Sequence, residues 1–101
     1  MIVYNQTMKV EHSIYDAWLQ WYKDEHIPEI MSSGQFTDYK FFRLLDQDEH
    51  EGPTYITQFF APSARAYKKF SEEFAYLLQR KAYEKWGNLF VSFNTVMEVV
   101  H

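Results

Sequence analysis

The sequence predicts an α+β domain whose elements run β-α-β-β-α-β. Three observations predict it. Four β-rich runs are free of internal glycine and proline. Two stretches between them repeat apolar residues at helical spacing. A short acidic connection, "QDEHEGP", joins the second run to the third, which suits an antiparallel hairpin better than a crossover.

The first run, "MIVYNQTMKV", alternates two sets, Ile2, Tyr4, Gln6, Met8 and Val10 against Val3, Asn5, Thr7 and Lys9, and reads as a strand. Ser13 then opens a helix, with Asp16 three residues on as a weak form of capping box. At 100° per residue Ile14, Ala17, Trp18, Trp21 and Tyr22 gather on one face. The helix is expected to end or kink near His26, because Pro28 lacks an N–H and disfavours helix before it. Pro28 could equally start a short new turn running to Met31. "SSGQFT" is a loop.

"DYKFFRLLD" is the second strand and "TYITQFF" the third. Pro62 and Ser63 open a second helix, with Ser63 as N-cap. Its buried stripe is read as Tyr67, Phe70, Phe74, Leu77, Leu78 and Ala82. Gly87-Asn88 closes it, and "LFVSFNTVMEVV" is the last strand. Two βαβ-like halves joined by a hairpin make the ferredoxin-like arrangement: a four-stranded antiparallel sheet with two helices on one face.

With 101 residues the chain suffices for one domain, 1–101, and not for two. Aromatic residues make up 20%, more than a domain this small can easily hide, so some are expected at a cavity or a subunit interface. The strands carry large apolar groups on both parities: Phe41 against Phe42, Ile56 against Tyr55, Phe93 against Phe90. The face of the sheet away from the helices is therefore expected to pack on a second copy, giving a homodimer of the α/β-barrel kind. A net charge of −4 with no basic run argues against nucleic acid as a partner. The absence of cysteine excludes disulfides and thiol chemistry. The first residues resemble neither a signal peptide nor a membrane span, so no membrane association is expected and a cytoplasmic location is.

The chemistry-bearing residues concentrate in "WLQWYKDEHIPEIM". On an ideal wheel Glu25 falls in line with Ile14, Trp18 and Trp21, and His26 lies about 100° further round, beside Tyr22. Two readings stand. Glu25 turns out to solvent and His26 bonds a helix-end carbonyl; or one of them edges a cavity walled by Trp18, Trp21 and Tyr22 and serves as a general base. Asn5, Gln58 and Asn94 interrupt strands and could converge as polar anchors; equally, each could be a satisfied core amide or an interface hydrogen bond. His12, His26, His50 and His101 lack metal-ligand spacing, so no metal site is expected, and no cofactor. No serine sits in a nucleophile elbow and no glycine-rich phosphate loop is present.

"YNQT" at 4–7, "WLQWYKDEHIPEIMSSGQFT" at 18–37 and "RLLDQDEHEGPTYITQFF" at 43–60 resemble a family of short bacterial proteins known as a domain of unknown function among the dimeric α/β barrels. The resemblance implies a ferredoxin-like dimer and no known activity. It marks Asn5, Trp18, Trp21, His26, Pro28, Tyr55 and Gln58 as positions and assigns them no roles. The wider superfamily implied includes monooxygenases, isomerases, haem-dependent enzymes and ligand-binding modules. The expectation is thus a homodimer binding a small aromatic or apolar molecule between helix and sheet. Trp18, Trp21, Tyr22 and Tyr55 would lie about it, with Asn5, His26 and Gln58 as polar anchors. The alternatives are a cofactor-independent oxygenase or isomerase using His26 or Glu25, and a structural protein without ligand.

Overall fold

The structure, a computed structural model, describes residues 1–101. Strands β1 (Ile2–Val10), β2 (Asp38–Arg43), β3 (Thr54–Ala61) and β4 (Phe90–Glu98) form one antiparallel sheet in the order β2-β3-β1-β4. Helices α1 (Tyr15–Trp21) and α2 (Ile27–Ser32), joined by a π-helical turn over Tyr22–His26, form one half of the helical layer. Helices α3 (Ala64–Glu73) and α4 (Ala75–Trp86) form the other, and a 3₁₀ turn over Gly87–Leu89 leads into β4. This is the ferredoxin-like α+β fold predicted.

The register assigns each strand's two faces. Tyr4 opposes Phe59 and Val96, and Gln6 opposes Thr57 and Asn94. The even residues of β1 and the odd residues of β3 therefore face the helices. Tyr4, Met8, Val10, Tyr55 and Phe59 from those sets are buried with Trp18, Ile30, Phe70 and Leu78. Trp18 is the centre of this core: its ring lies between Tyr22, 4.7 Å away, and Tyr55, 5.5 Å away, both nearly parallel to it. Gly52 lets the β2–β3 loop close over the end of β1. A Cβ there would stand 1.8 Å from the Val10 carbonyl oxygen, and its φ of +136° suits glycine alone.

Both predicted helices are broken. In the first, the regular α-helix ends at Trp21 while the chain stays helical through His26, and the short new turn at Pro28 is the reading that holds. The helix widens over Tyr22–His26, where the Ile27 N–H reaches the Tyr22 carbonyl, and Pro28 enters the first turn of α2 with no N–H to place. Ser13 does not cap: its hydroxyl bonds Glu11, and Ile14 occupies the N-cap position without a side-chain bond. In the second, Ser63 caps as expected, accepting from the Ala66 N–H, but Phe74 leaves helical geometry at φ −122°. Past the break the stripe is narrower than read. Leu78 and Ala82 are buried, whereas Leu77, read as core, is 59% exposed. Strand β2 ends at Arg43 rather than Asp46, where an ion pair with Glu49 holds the start of the loop.

The other face of the sheet has no helix over it. It carries rows of opposed residues: Phe60, Val3 and Met97; then Gln58, Asn5 and Thr95; then Phe42, Ile56, Thr7 and Phe93. Phe93 is 62% exposed. The chain's accessible surface, 6575 Å², exceeds the roughly 6,100 Å² typical of a folded monomer of its mass.

Candidate functional site

The π turn decides which side chains face the sheet. A π turn holds more residues than an α turn, so each advances the wheel by less than 100°. His26 is thereby carried inward and is buried, while Glu25, on the ideal wheel an inward residue, lies exposed. His26 packs on Trp21 with ring centroids 4.8 Å apart, and Tyr22 lies 5.4 Å from it. Its ring takes no part in the fold's side-chain hydrogen bonds, so it is not spent on a helix-end carbonyl. Burial, the largest cause, lowers its pKa to about 4; nearby Glu29 pulls it upward and Lys81 downward. The imidazole is therefore neutral at physiological pH.

Below the π turn the sheet supplies a buried polar chain. The Tyr22 hydroxyl lies 2.8 Å from Gln6 Oε1 and 2.7 Å from Thr57 Oγ1, and Gln6 Nε2 donates to the Tyr4 hydroxyl at 3.3 Å. Burial raises the pKa of both phenols, so they stay protonated.

Between this chain, the π turn and α4 lies a cleft of about 380 Å³, open on one side. Gln6, Met8 and Asn94 line the sheet side, Trp21, Tyr22 and His26 one wall, and Gln79 and Tyr83 of α4 the other. No aspartate, glutamate, lysine or arginine lines it. Beyond the Trp21–His26 wall the surface changes character: a groove carries Asp24, Glu25, Glu29 and Lys81, the last two paired at 2.7 Å. At the far end of the sheet His12 and His50 share a shallow depression with Glu11 and Glu51, but no three such groups are placed to hold a metal ion.

The predicted site residues divide into three groups. Trp21, Tyr22 and His26 meet at the cleft. Trp18 and Tyr55 are buried beneath them, and both are core rather than cleft wall. Asn5 and Gln58 do not belong with either group. They oppose each other across β1 and β3 on the face away from the helices, and cannot reach the cleft. The convergence considered for Asn5, Gln58 and Asn94 does not occur: Asn94 alone of the three opposes Gln6 and lines the cleft. Glu25 turns to solvent at the rim of the outer groove. Gln6 and Thr57 were missed. Their signal was available: each is a polar residue within the apolar parity of its strand, Gln6 between Tyr4 and Met8, Thr57 between Tyr55 and Phe59.

Over residues 1–100 the sequence matches the family described as a domain of unknown function, DUF4286. The chain belongs to that family. No curated protein matches it. Solved structures share its fold. An ethyl tert-butyl ether d (EthD) family protein from Bacillus halodurans has a TM-score of 0.71 at 14% identity, covering 99% of this chain and all of that one. SnoaB, a cofactor-independent oxygenase from Streptomyces nogalater, has 0.66 at 10%, covering 99% and 93%. A dimeric ferredoxin-like protein from an uncultured marine organism has 0.68 at 16%, covering 100% and 96%. At such identities the likeness is one of fold. No helix of this family member is long and apolar enough to cross a membrane.

Proposed function

We propose that the protein binds a small, neutral, aromatic or apolar molecule in the cleft between α4, the π turn and the sheet. One observation carries this reading. In a chain with ten basic and fourteen acidic residues, the concavity between helix and sheet presents aromatic rings, amides and an uncharged imidazole, and no charge. A volume of about 380 Å³ lies within the range small ligands use. Trp21 and Tyr22 supply flat surfaces for stacking.

The enzymatic alternative, a cofactor-independent oxygenase or isomerase, is served less well. Glu25 points out of the cleft, and a histidine whose pKa has fallen to about 4 is a weak base. A neutral imidazole is better suited to giving or taking a hydrogen bond from a bound molecule than to removing a proton.

The proposal includes self-association through the open sheet face. Phe42, Ile56, Phe60, Phe93 and Met97 are too many large apolar groups to leave in water, and the fold's neighbours include a protein described as dimeric. In a two-fold pairing the row of Gln58, Asn5 and Thr95 would meet its own copy and satisfy its amides there.

A thermal-shift screen of neutral arenes tests the ligand reading. A bound arene at a hundredfold excess over Kd stabilises by about 2.7 kcal/mol, and Trp21→Ala should abolish the shift. No shift with any arene, or shifts untouched by Trp21→Ala, would overturn it.

A further inference from the structure

We infer that Gln6 is the specificity-determining residue of this cleft, a fixed amide N–H donor that selects neutral aromatic molecules bearing a carbonyl or similar acceptor oxygen. The inference rests on the cleft reading and adds the chemistry of the ligand's polar group.

The argument follows the hydrogens. Thr57 is wholly buried and has Tyr22 as its hydrogen-bond partner. Its hydroxyl hydrogen must be spent there, because a buried hydroxyl without an acceptor is costly. Thr57 therefore donates to the Tyr22 oxygen. The single Tyr22 hydrogen then goes to its other neighbour, the Gln6 side chain, which must present an acceptor: Oε1. With Oε1 committed, Nε2 points along the remaining direction and gives one hydrogen to the Tyr4 hydroxyl. The reverse arrangement, with Nε2 toward Tyr22, would send the Tyr22 hydrogen to Thr57 and leave the Thr57 hydrogen with nothing to bond. The buried relay thus sets the orientation of an amide that could otherwise flip.

One Nε2 hydrogen is left over. Gln6 is only 6% exposed, and it lines the cleft. Oε1 already accepts from Tyr22, and its second lone pair goes unmet at less cost than an N–H does. What Gln6 chiefly asks of a guest is therefore an acceptor for the remaining hydrogen. Asn94 stands directly opposite on β4, exposed and outside the relay. It can turn to suit either partner and so imposes no choice. Selection falls to the amide that cannot turn. A site whose buried donor meets no acceptor discriminates strongly against the analogue that lacks one.

A near-isosteric pair of probes tests this: 2-acetylnaphthalene, which has a carbonyl oxygen, and 2-isopropylnaphthalene, which does not. Binding is read by quenching of tryptophan fluorescence. The wild-type protein should bind the ketone at least tenfold more tightly. Gln6→Met keeps the length and removes the donor, and should bring the two affinities within about twofold by weakening the ketone alone. Tyr22→Phe keeps the ring at the cleft and frees Gln6 Oε1 to turn. It should lower the preference at least threefold with Gln6 still present, and it serves if Gln6→Met does not fold. If wild-type protein binds both probes equally, or if either folded variant keeps the full preference, the assignment of Gln6 is wrong while the cleft reading stands. If neither probe binds, the cleft reading fails and this inference with it.

Discussion

His26 lies against Trp21 with their ring centroids 4.8 Å apart and their planes 30° from parallel, and the pair forms the wall between an uncharged cleft and a charged outer groove. The wall needs a neutral imidazole, which ties the integrity of the site to pH.

Stability should therefore fall on mild acidification. An unfolded His26 takes a proton near pH 6.5, whereas the folded one resists until about 4. Between those values the unfolded chain binds more protons, so the contribution is complete above about 6.5 and is lost as pH drops toward 4. The loss amounts to about 3 kcal/mol at most, at a slope of up to about 1.4 kcal/mol per pH unit. Urea unfolding of wild type and His26→Phe from pH 7 to 4.5 isolates it from carboxylate titration. The two curves should diverge as pH falls; parallel curves would remove the buried neutral histidine from the account.

Gly52→Ala should be among the most damaging single substitutions. The new methyl would meet the Val10 carbonyl at 1.8 Å in a backbone region closed to alanine, costing several kcal/mol or preventing folding. Gly34→Ala, at φ +77° with open space around it, should cost only about 1–2 kcal/mol. Thermal melts of the two variants should differ widely, and equal melting temperatures would contradict the close approach of the loop to β1.

Neighbouring leucines on α4 should behave oppositely. Leu78→Ala empties a core position and should cost about 2–3 kcal/mol, whereas Leu77→Lys should change stability by no more than about 0.5 kcal/mol. A large loss at Leu77 would mean that the helix runs unbroken through Phe74.

Phe93→Glu should dissociate the protein without unfolding it. Phe93 is 62% exposed on the open face, so the subunit scarcely depends on it, while a carboxylate there would be buried unpaired between two sheets. Light scattering should move from about twice 12.3 kDa to one subunit mass, with circular dichroism unchanged. A wild-type protein of 12.3 kDa at micromolar concentration would dispose of the pairing.

The strands and their faces were legible because a side-chain period of two leaves little room for error: the set Ile2, Tyr4, Gln6, Met8, Val10 read from the sequence is the set that meets the helices. The helices were legible as elements but not in their phase. The ideal wheel sets Glu25 inward, which was one of the two readings, and Leu77 beside Leu78 in the stripe; both Glu25 and Leu77 point out. Glu25 lies within the break at Tyr22–His26 and Leu77 just after the one at Phe74, and the inward positions belong to His26 and Leu78. Nothing local in "YKDEH" announces a π turn; only Pro28, which the widened turn accommodates, hinted at irregularity. The site was half visible. Aromatic crowding pointed to Trp21 and Tyr22. Asn5 and Gln58 drew attention as polar residues in strands, yet the informative ones were Gln6 and Thr57, each one position away and on the other face.

The π turn has one more consequence. It acts as a frameshift within a helix: every side chain after Tyr22 is displayed out of step with the rhythm set by Trp18 and Trp21. Shortening this segment by a single amino acid would restore ordinary pitch and leave His26 against the sheet, whereas an unbroken α-helix of the same length would set Glu25 there. The chemical identity of the wall beside Trp21 is thus governed by chain length as much as by composition: the one extra residue that the turn absorbs seats an imidazole there and not a carboxylate.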